Sequence, residues 1–90
     1  MKKLIITVIG HDQVGIIAKV CTYLAENNVN IIDISQSVIS EYFTMMMVVD
    51  IDKCSIDYKD FVDIMNDMGR ENNLEIHMMH EDIFNSMHKI

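Results

Sequence analysis

The chain of 90 residues contains no proline and no tryptophan, and it has only three glycines and two cysteines. Cys21 and Cys54 are too few for a disulfide framework, and no Cys-x-x-Cys pair is present. We therefore expect free thiols and a cytoplasmic location. Because proline, low-complexity runs and Gly/Ser linkers are all missing, nothing marks an internal boundary, and the sequence predicts one small domain.

Basic residues are scarce as well. Seven Lys and Arg stand against fourteen Asp and Glu, which gives a net charge of −7, and residues 46–90 hold ten of the acids. Such a field repels phosphate backbones and anionic lipid, so we expect no nucleic-acid partner and no membrane-surface binding. No stretch approaches the ~20 apolar residues of a membrane helix, and the apolar run Leu4–Ile9 is too short for a signal peptide.

Hydrophobic periodicity predicts the elements in the first half. Residues 3–9 are apolar or β-branched at nearly every position, which is typical of a central strand covered on both faces. A helical stripe then runs to Asn27, with Asp12 at the expected N-cap. Residues 30–40 and 42–52 alternate and predict a hairpin. In the first of these strands one face carries Ile32, Ile34 and Val38, and the other carries Asp33, Ser35 and Ser37.

The second half predicts a helix, a strand and a helical tail. Asp57 begins a helix that has Gly69 near its end, and its acidic stripe is typical of a solvated face. A fourth strand covers 74–78, and the last ten residues show helical spacing. The order βαββαβ indicates a ferredoxin-like α+β sandwich, a four-stranded antiparallel sheet with two helices on one face. We expect one domain over residues 1–80 and a helical tail over 81–90.

The face of the predicted sheet opposite the helices is apolar at its centre. We expect the tail to cover it, either from the same chain or from a partner, and the protein to be a dimer. The covering residues are Ile83, Phe84 and Met87; the covered ones are Ile5, Thr7, Ile9, Thr44, Met46 and Val48.

Residues 9–17 read Ile-Gly-His-Asp-Gln-Val-Gly-Ile-Ile and close the first predicted strand. This segment resembles the ligand loop of ACT domains, the small-molecule-sensing modules of amino-acid metabolism, although Val14 stands where such loops often carry proline. Asn30-Ile31 matches a second ACT hallmark. Further stretches are similar to a family of stand-alone bacterial ACT proteins, which also resembles the regulatory domains of the glycine-cleavage repressor. They are Ile34–Ser37, Tyr42–Met45 and His80–Asn85.

The resemblance implies a non-catalytic regulatory domain that binds an amino acid or related small metabolite. In ACT domains the effector lies between this loop and the second strand of another protomer, so a homodimer is implied, and no cofactor is. The implied ligand-binding residues are Asp12, Gln13, Val14, Gly15, Ile16, Asn30 and Ile31.

The chemistry of these residues agrees with that role. A helix N-terminus attracts a carboxylate, glycine permits close approach, and Asp12 can accept bonds from an ammonium group. Asn30 offers both a donor and an acceptor. The same residues also have structural explanations: Asp12 as N-cap, Gly15 as a packing glycine and Asn30 as a turn residue.

Two other functions stay open at this point. One is a ligand-free protein-interaction or oligomerisation module, with a protein partner still to be identified. The other is soft-metal binding through the nine methionines and four histidines, but His77 and His80 on a strand point to opposite faces, which favours no metal site. No catalytic signature is present, so we expect no catalytic residues and no enzyme.

Overall fold

The computed structural model describes residues 2–11 and 15–87. It contains β1 Lys3–His11, α1 Ile16–Glu26, β2 Asn30–Ile39, β3 Tyr42–Asp50, α2 Tyr58–Glu71, β4 Glu75–His80 and α3 Glu81–Met87. The four strands form one antiparallel sheet in the order β2-β3-β1-β4. The predicted ferredoxin-like fold, with its short C-terminal helix, is confirmed. None of the helices in the described ranges combines the length and apolarity needed to cross a membrane.

The core lies between the sheet and the layer formed by α1 and α2. Alternate residues of the two central strands are buried against this layer, because every second side chain of a strand points to the same face. The helices contribute the opposing side chains at helical spacing. The fully buried side chains are Leu4, Ile6, Val8, Val20, Leu24, Met45, Met47, Val49 and Met65, and Phe61 is nearly so.

The opposite face of the sheet carries the six predicted residues. Strand pairing places Ile5 against Val48 and sets the other two pairs, Thr7–Met46 and Ile9–Thr44, in line with it. The helix α3 lies against β1 and β4, and Ile5 is 7% exposed whereas Met46 is 40% exposed. Cover from the same chain is therefore partial, and β1 is buried on both faces only around Ile5.

The tail does not use Ile83 for this cover within one chain. Its side chain is 55% exposed, so Ile83 is not buried on the sheet of its own chain, and cover by Ile83 of a partner stays a prediction. The expectations for the Phe84 and Met87 side chains fall outside the described residues. What the described part of α3 supplies is an ion pair between Lys3 and Glu81, at 3.9 Å.

A β-bulge changes the predicted faces of β2. Ile31 pairs with Val49 and Asp33 pairs with the next residue of β3, so Ile32 is the extra residue between them. The residues that share the helix-side face are therefore Ile31, Ile34, Gln36 and Val38, and the grouping of Ile32 with Ile34 and Val38 is wrong. The simple alternation of the sequence could not reveal an inserted residue.

Gly69 lies inside α2, which continues to Glu71 and ends at the C-cap Asn72. A Cβ on Gly69 would stand 2.9 Å from the Leu74 carbonyl oxygen. The glycine therefore allows α2 to approach the start of β4 closely, and its predicted place near the helix end is confirmed. The acidic stripe of α2 is exposed, as predicted.

Candidate functional site

The loop between β1 and α1 lies at the end of the sheet where β1 finishes. Asp12, Gln13 and Val14 fall outside the described residues. The N-cap position of α1 belongs to Gly15, at φ 93° and ψ −19°, instead of the predicted Asp12. This left-handed conformation favours glycine, and a Cβ there would meet nothing within 4 Å. Gly15 is thus needed for its backbone conformation, and its interpretation as a packing glycine is wrong.

The first turn of α1 suits an anion. Gly15 has no side chain with which to cap the helix, and the turn that begins at Ile16 contains no acidic residue. The carbonyl oxygen of Gly15 accepts a hydrogen bond from the backbone N–H of Lys19 at 3.0 Å, so the helical hydrogen bonds begin at Gly15. The N–H groups of the first turn and the positive end of the helix dipole are the features that attract a carboxylate.

Two rings stand at the same end of the sheet. His11 is the last residue of β1 and pairs with Tyr42, the first residue of β3. Their ring centroids are 4.5 Å apart and their planes are inclined by 59°. Both side chains are exposed, and the turn Ser40-Glu41 lies beside them. Among the residues that the structure describes, this end of the molecule therefore combines a helix start that lacks a side-chain cap with an exposed aromatic pair.

Asn30 and Ile31 lie at the other end of the sheet. They pair with Asp50 and Val49, and Asp50 pairs in turn with Lys3 at the start of β1. The 11 residues of α1 run between Gly15 and this end, a distance of about 16 Å at 1.5 Å per residue. A single chain consequently does not bring the two groups of predicted site residues together.

Asn30 lines a depression of about 390 Å³ together with Asn28, Val29 and Lys53. The Asn28 amide nitrogen donates to Ser55 Oγ at 2.7 Å, and the Ser55 backbone N–H donates to the Asn27 carbonyl at 2.9 Å. These bonds hold the loop after β3 against the start of β2. Sequence analysis did not single out Lys53, because only this contact between two distant loops brings it beside Asn30.

The outer edge of β2 is open. Every one of its ten residues except Ile31 is exposed. One edge of the strand pairs with β3, and the other edge has no strand partner among residues 2–11 and 15–87. The exposed aliphatic side chains of this strand are Ile32, Ile34, Val38 and Ile39. An edge of this length and composition is a surface on which another strand can pair.

The two histidines considered for metal binding lie apart, and the Cys21 thiol is weakly reactive. His77 pairs with Thr7 and His80 with Leu4, which puts them on opposite faces of the sheet as predicted. In the part of the chain that the structure describes, no three His, Cys, Asp or Glu side chains are arranged to hold a metal ion. Burial raises the pKa of the Cys21 thiol, so this group stays protonated and weakly nucleophilic near neutral pH.

Comparison with known proteins gives consistent matches over this fold. Residues 2–79 match a family model described as an ACT domain. The chain is 49% identical over 90 residues to a UPF0237 protein of Bifidobacterium longum, covering all of both chains. An ACT domain protein from Streptococcus pneumoniae superposes with a TM-score of 0.80 at 42% identity, covering 92% of this chain and 93% of that one. The regulatory subunit of aspartate kinase from Thermus thermophilus superposes with a TM-score of 0.64 at 25% identity, over 87% of this chain and 50% of that one.

Proposed function

The chain belongs to the ACT-domain family, and from this premise we propose that it is a non-catalytic regulatory domain that binds an amino acid or related small metabolite. The ligand lies at the loop between β1 and α1, in the interface of a homodimer. ACT domains are typically regulatory and ligand-binding, and a solved neighbour is the regulatory subunit of an enzyme. The two free thiols, Cys21 and Cys54, support a cytoplasmic location.

The observation that carries the proposal is the open edge of β2. This edge runs between the two groups of predicted site residues, the start of α1 at one end of the sheet and Asn30-Ile31 at the other. When two copies of one strand pair antiparallel about a twofold axis, residues whose numbers have a constant sum face each other. The bulge residue Ile32 is skipped in this count, so with the axis at Ser35 Asn30 of one copy faces Ile39 of the other, and both lie on the face opposite the helices. Ile39 pairs with Tyr42, which pairs with His11 at the mouth of the loop. Such a dimer sets Asn30 of one copy at the same end of the joined sheet as the loop of the other.

In this arrangement each group of the ligand has a partner. The α-carboxylate accepts the free N–H groups at the start of α1, near Gly15 and Ile16. The ammonium group donates to Asp12 of the same chain or to the Asn30 side-chain oxygen of the second copy. Gln13, Val14 and Ile31 complete the walls of the proposed site.

The test is a thermal-shift screen with the common amino acids and their close derivatives. A ligand that binds only the folded state at a hundredfold excess over its Kd stabilises by about 2.7 kcal/mol, which raises the Tm of a small domain by several degrees. We expect Asn30→Ala to abolish that shift while leaving the Tm of the free protein nearly unchanged, because Asn30 is exposed. Asn66→Ala, an exposed asparagine on α2, is the matched control.

The β2 edge also favours a second candidate, an interaction module that dimerises without a ligand. The same screen separates the two functions. If no amino acid or related metabolite at millimolar concentration moves the Tm, while light scattering still finds a dimer, the ligand-free module replaces the sensor. A monomer at micromolar concentration contradicts both.

A further inference from the structure

We propose that Lys53 recognises a second carboxylate on the ligand, so that the preferred ligand is an acidic amino acid or a short dicarboxylic acid. This inference rests on the proposed function, since it concerns the half of that site that contains Asn30. It starts from the depression lined by Asn28, Val29, Asn30 and Lys53.

The polar groups in this depression match a carboxylate. Lys53 supplies the positive charge, and Asn30 supplies an amide with two N–H donors. The Asn28 side chain uses one of its two N–H donors on Ser55 Oγ, which leaves the second N–H as a donor. None of the four lining residues is acidic. A carboxylate entering the depression therefore meets an ammonium group and amide donors without a negative charge on the wall.

The ammonium group of Lys53 is available. It forms no hydrogen bond or ion pair with any residue of the ranges 2–11 and 15–87. The acids nearest in the chain already accept backbone N–H groups: Asp50 Oδ1 accepts that of Asp52 at 2.9 Å, and Asp52 Oδ1 accepts that of Lys2 at 2.8 Å. The lysine thus faces the depression as a cation that lacks a fixed counterion.

The position of Lys53 is fixed by the fold. The bond between Asn28 and Ser55 and the bond between the Ser55 N–H and the Asn27 carbonyl tie its loop to the start of β2. Only the side chain of Lys53 has to be ordered when a ligand binds, which limits the entropy that binding loses. The backbone below the ammonium group is already in place.

The charge of the whole molecule makes this lysine more important. A net charge of −7 disfavours the approach of any anion. An acidic ligand needs a positive group at each of its carboxylates, and the proposed dimer supplies one at either side. The helix start beyond Gly15 takes the α-carboxylate, and Lys53 of the second copy takes the side-chain carboxylate.

Matched pairs of ligands test the inference. Aspartate against asparagine, and glutamate against glutamine, differ by a charge and hardly in size. We expect titration calorimetry to show that the wild-type protein binds the acid of one pair at least about fivefold more tightly than its amide. Because the ion pair is exposed, this preference falls when NaCl is raised from 50 to 500 mM.

Variants then show whether the preference for the acid over its amide depends on Lys53. Lys53→Met abolishes it while binding of the amide changes less than twofold, and Lys53→Arg restores it. Lys59→Met removes one exposed lysine from α2 and leaves the preference intact. Lys53 is exposed, so the Tm of each ligand-free variant stays near that of the wild type.

Two results overturn the inference and leave the proposed function standing: amides that bind as well as acids, or a preference for the acid that survives in Lys53→Met. Binding of no amino acid at all contradicts the proposed function, and this inference with it. Succinate and glutarate complete the series, since binding of either at comparable affinity shows that the two carboxylates suffice.

Discussion

The two edge strands of the sheet, β2 and β4, are protected in different ways. β4 has six residues, among them Glu75 and His77, and it runs directly into α3. On its helix-side face α2 packs against it, with Gly69 allowing the close approach. β2 has ten residues with Asp33 as its one charge, and it is exposed almost throughout. Charge, short length and a covering helix are usual protections of an edge; β4 combines all three, whereas β2 has one charge and the bulge at Ile32.

The difference shows which side of the domain is complete by itself. On the helix-side face of β4, Ile76 is buried and Met78 half-buried. On the same face of β2, Ile31 is half-buried, whereas Ile34 and Val38 are exposed. A side chain such as Val38, 70% exposed, contributes nothing to the core of one chain. The β2 side is therefore the side on which a second copy is expected.

The largest expected effect tests this contrast in stability. Ile76 on β4 is 9% exposed and Val38 on β2 is 70% exposed, yet both lie on the helix-side face. We expect Ile76→Ala to lower the free energy of unfolding by about 2–4 kcal/mol, because it leaves a cavity in the core. Val38→Ala costs less than about 0.5 kcal/mol in the monomer. Urea denaturation at a concentration where the protein is monomeric measures both, and equal losses contradict the comparison.

The second prediction concerns assembly. Ser35 and Ser37 lie on β2, on the face opposite the helices. Replacing both by lysine places four positive charges close together in an antiparallel β2–β2 pair, while a single chain tolerates them at exposed positions. We expect the dissociation constant of the dimer to rise at least about tenfold in sedimentation equilibrium.

The matched control for this change lies on the other edge. Glu75→Lys combined with His77→Lys alters two exposed positions of β4 on the same face of the sheet. We expect the dimer to be unaffected by it. Dissociation of the dimer by this pair, with no effect of the β2 pair, assigns the interface to β4 and reverses the comparison.

The smallest expected effect on stability comes from the helix layer formed by α1 and α2. Tyr23 of α1 stacks on Phe61 of α2, with centroids 6.5 Å apart, and its buried hydroxyl has no hydrogen-bond partner in the described part of the chain. Tyr23→Phe keeps the stacking and removes the unsatisfied group. We expect it to raise the free energy of unfolding by up to about 1 kcal/mol at neutral pH. Tyr58→Phe, at an exposed ring, is the control and changes nothing.

The same variant has a signature at high pH. Burial, and to a lesser extent the Cys54 thiolate, raise the pKa of Tyr23 above its ordinary value of 10.0. The folded protein therefore holds this proton more tightly than the unfolded chain does. The contribution of this raised pKa to the free energy of unfolding is complete below pH 10 and is lost as the pH rises through the folded-state pKa. Above pH 10 the Tm should consequently fall less steeply with rising pH in Tyr23→Phe than in the wild type.

Most of the fold could be predicted from periodicity. The burial of alternate residues on β1 and β3 and the apolar stripes of α1 and α2 are visible in the sequence, since each face that packs must be apolar. The bulge at Ile32 could not be predicted, because an inserted residue changes the faces without changing the composition. The place of Gly69 near the end of α2 was predicted, but its packing role was not: a glycine near a helix end is ordinarily a stop signal, and the close approach of Leu74 is a tertiary contact.

The candidate site was predictable in parts. The apolar stripe after the loop predicts α1 from sequence alone, but its N-cap was predicted at Asp12 and lies at Gly15. The position of Asn30 at the far end of the same sheet follows from the strand order, which local motifs do not encode. Lys53 carries no local signal at all, since its place beside Asn30 depends on the bond between Asn28 and Ser55. Residues joined only by tertiary contacts are the ones that sequence reasoning misses.

In the proposed dimer, the two halves of each binding site lie at opposite ends of α1 in a single chain, so ligand binding depends on the protein concentration. In the proposed assembly a single copy carries only half of each binding site, so the competent species is the dimer. Its fraction falls as total protein falls below the dissociation constant, and the apparent affinity for the metabolite weakens in the same proportion. A cell that makes little of this protein then gives almost no response to a metabolite level that saturates the site in a cell that makes much. Expression level thereby sets the threshold of the sensor.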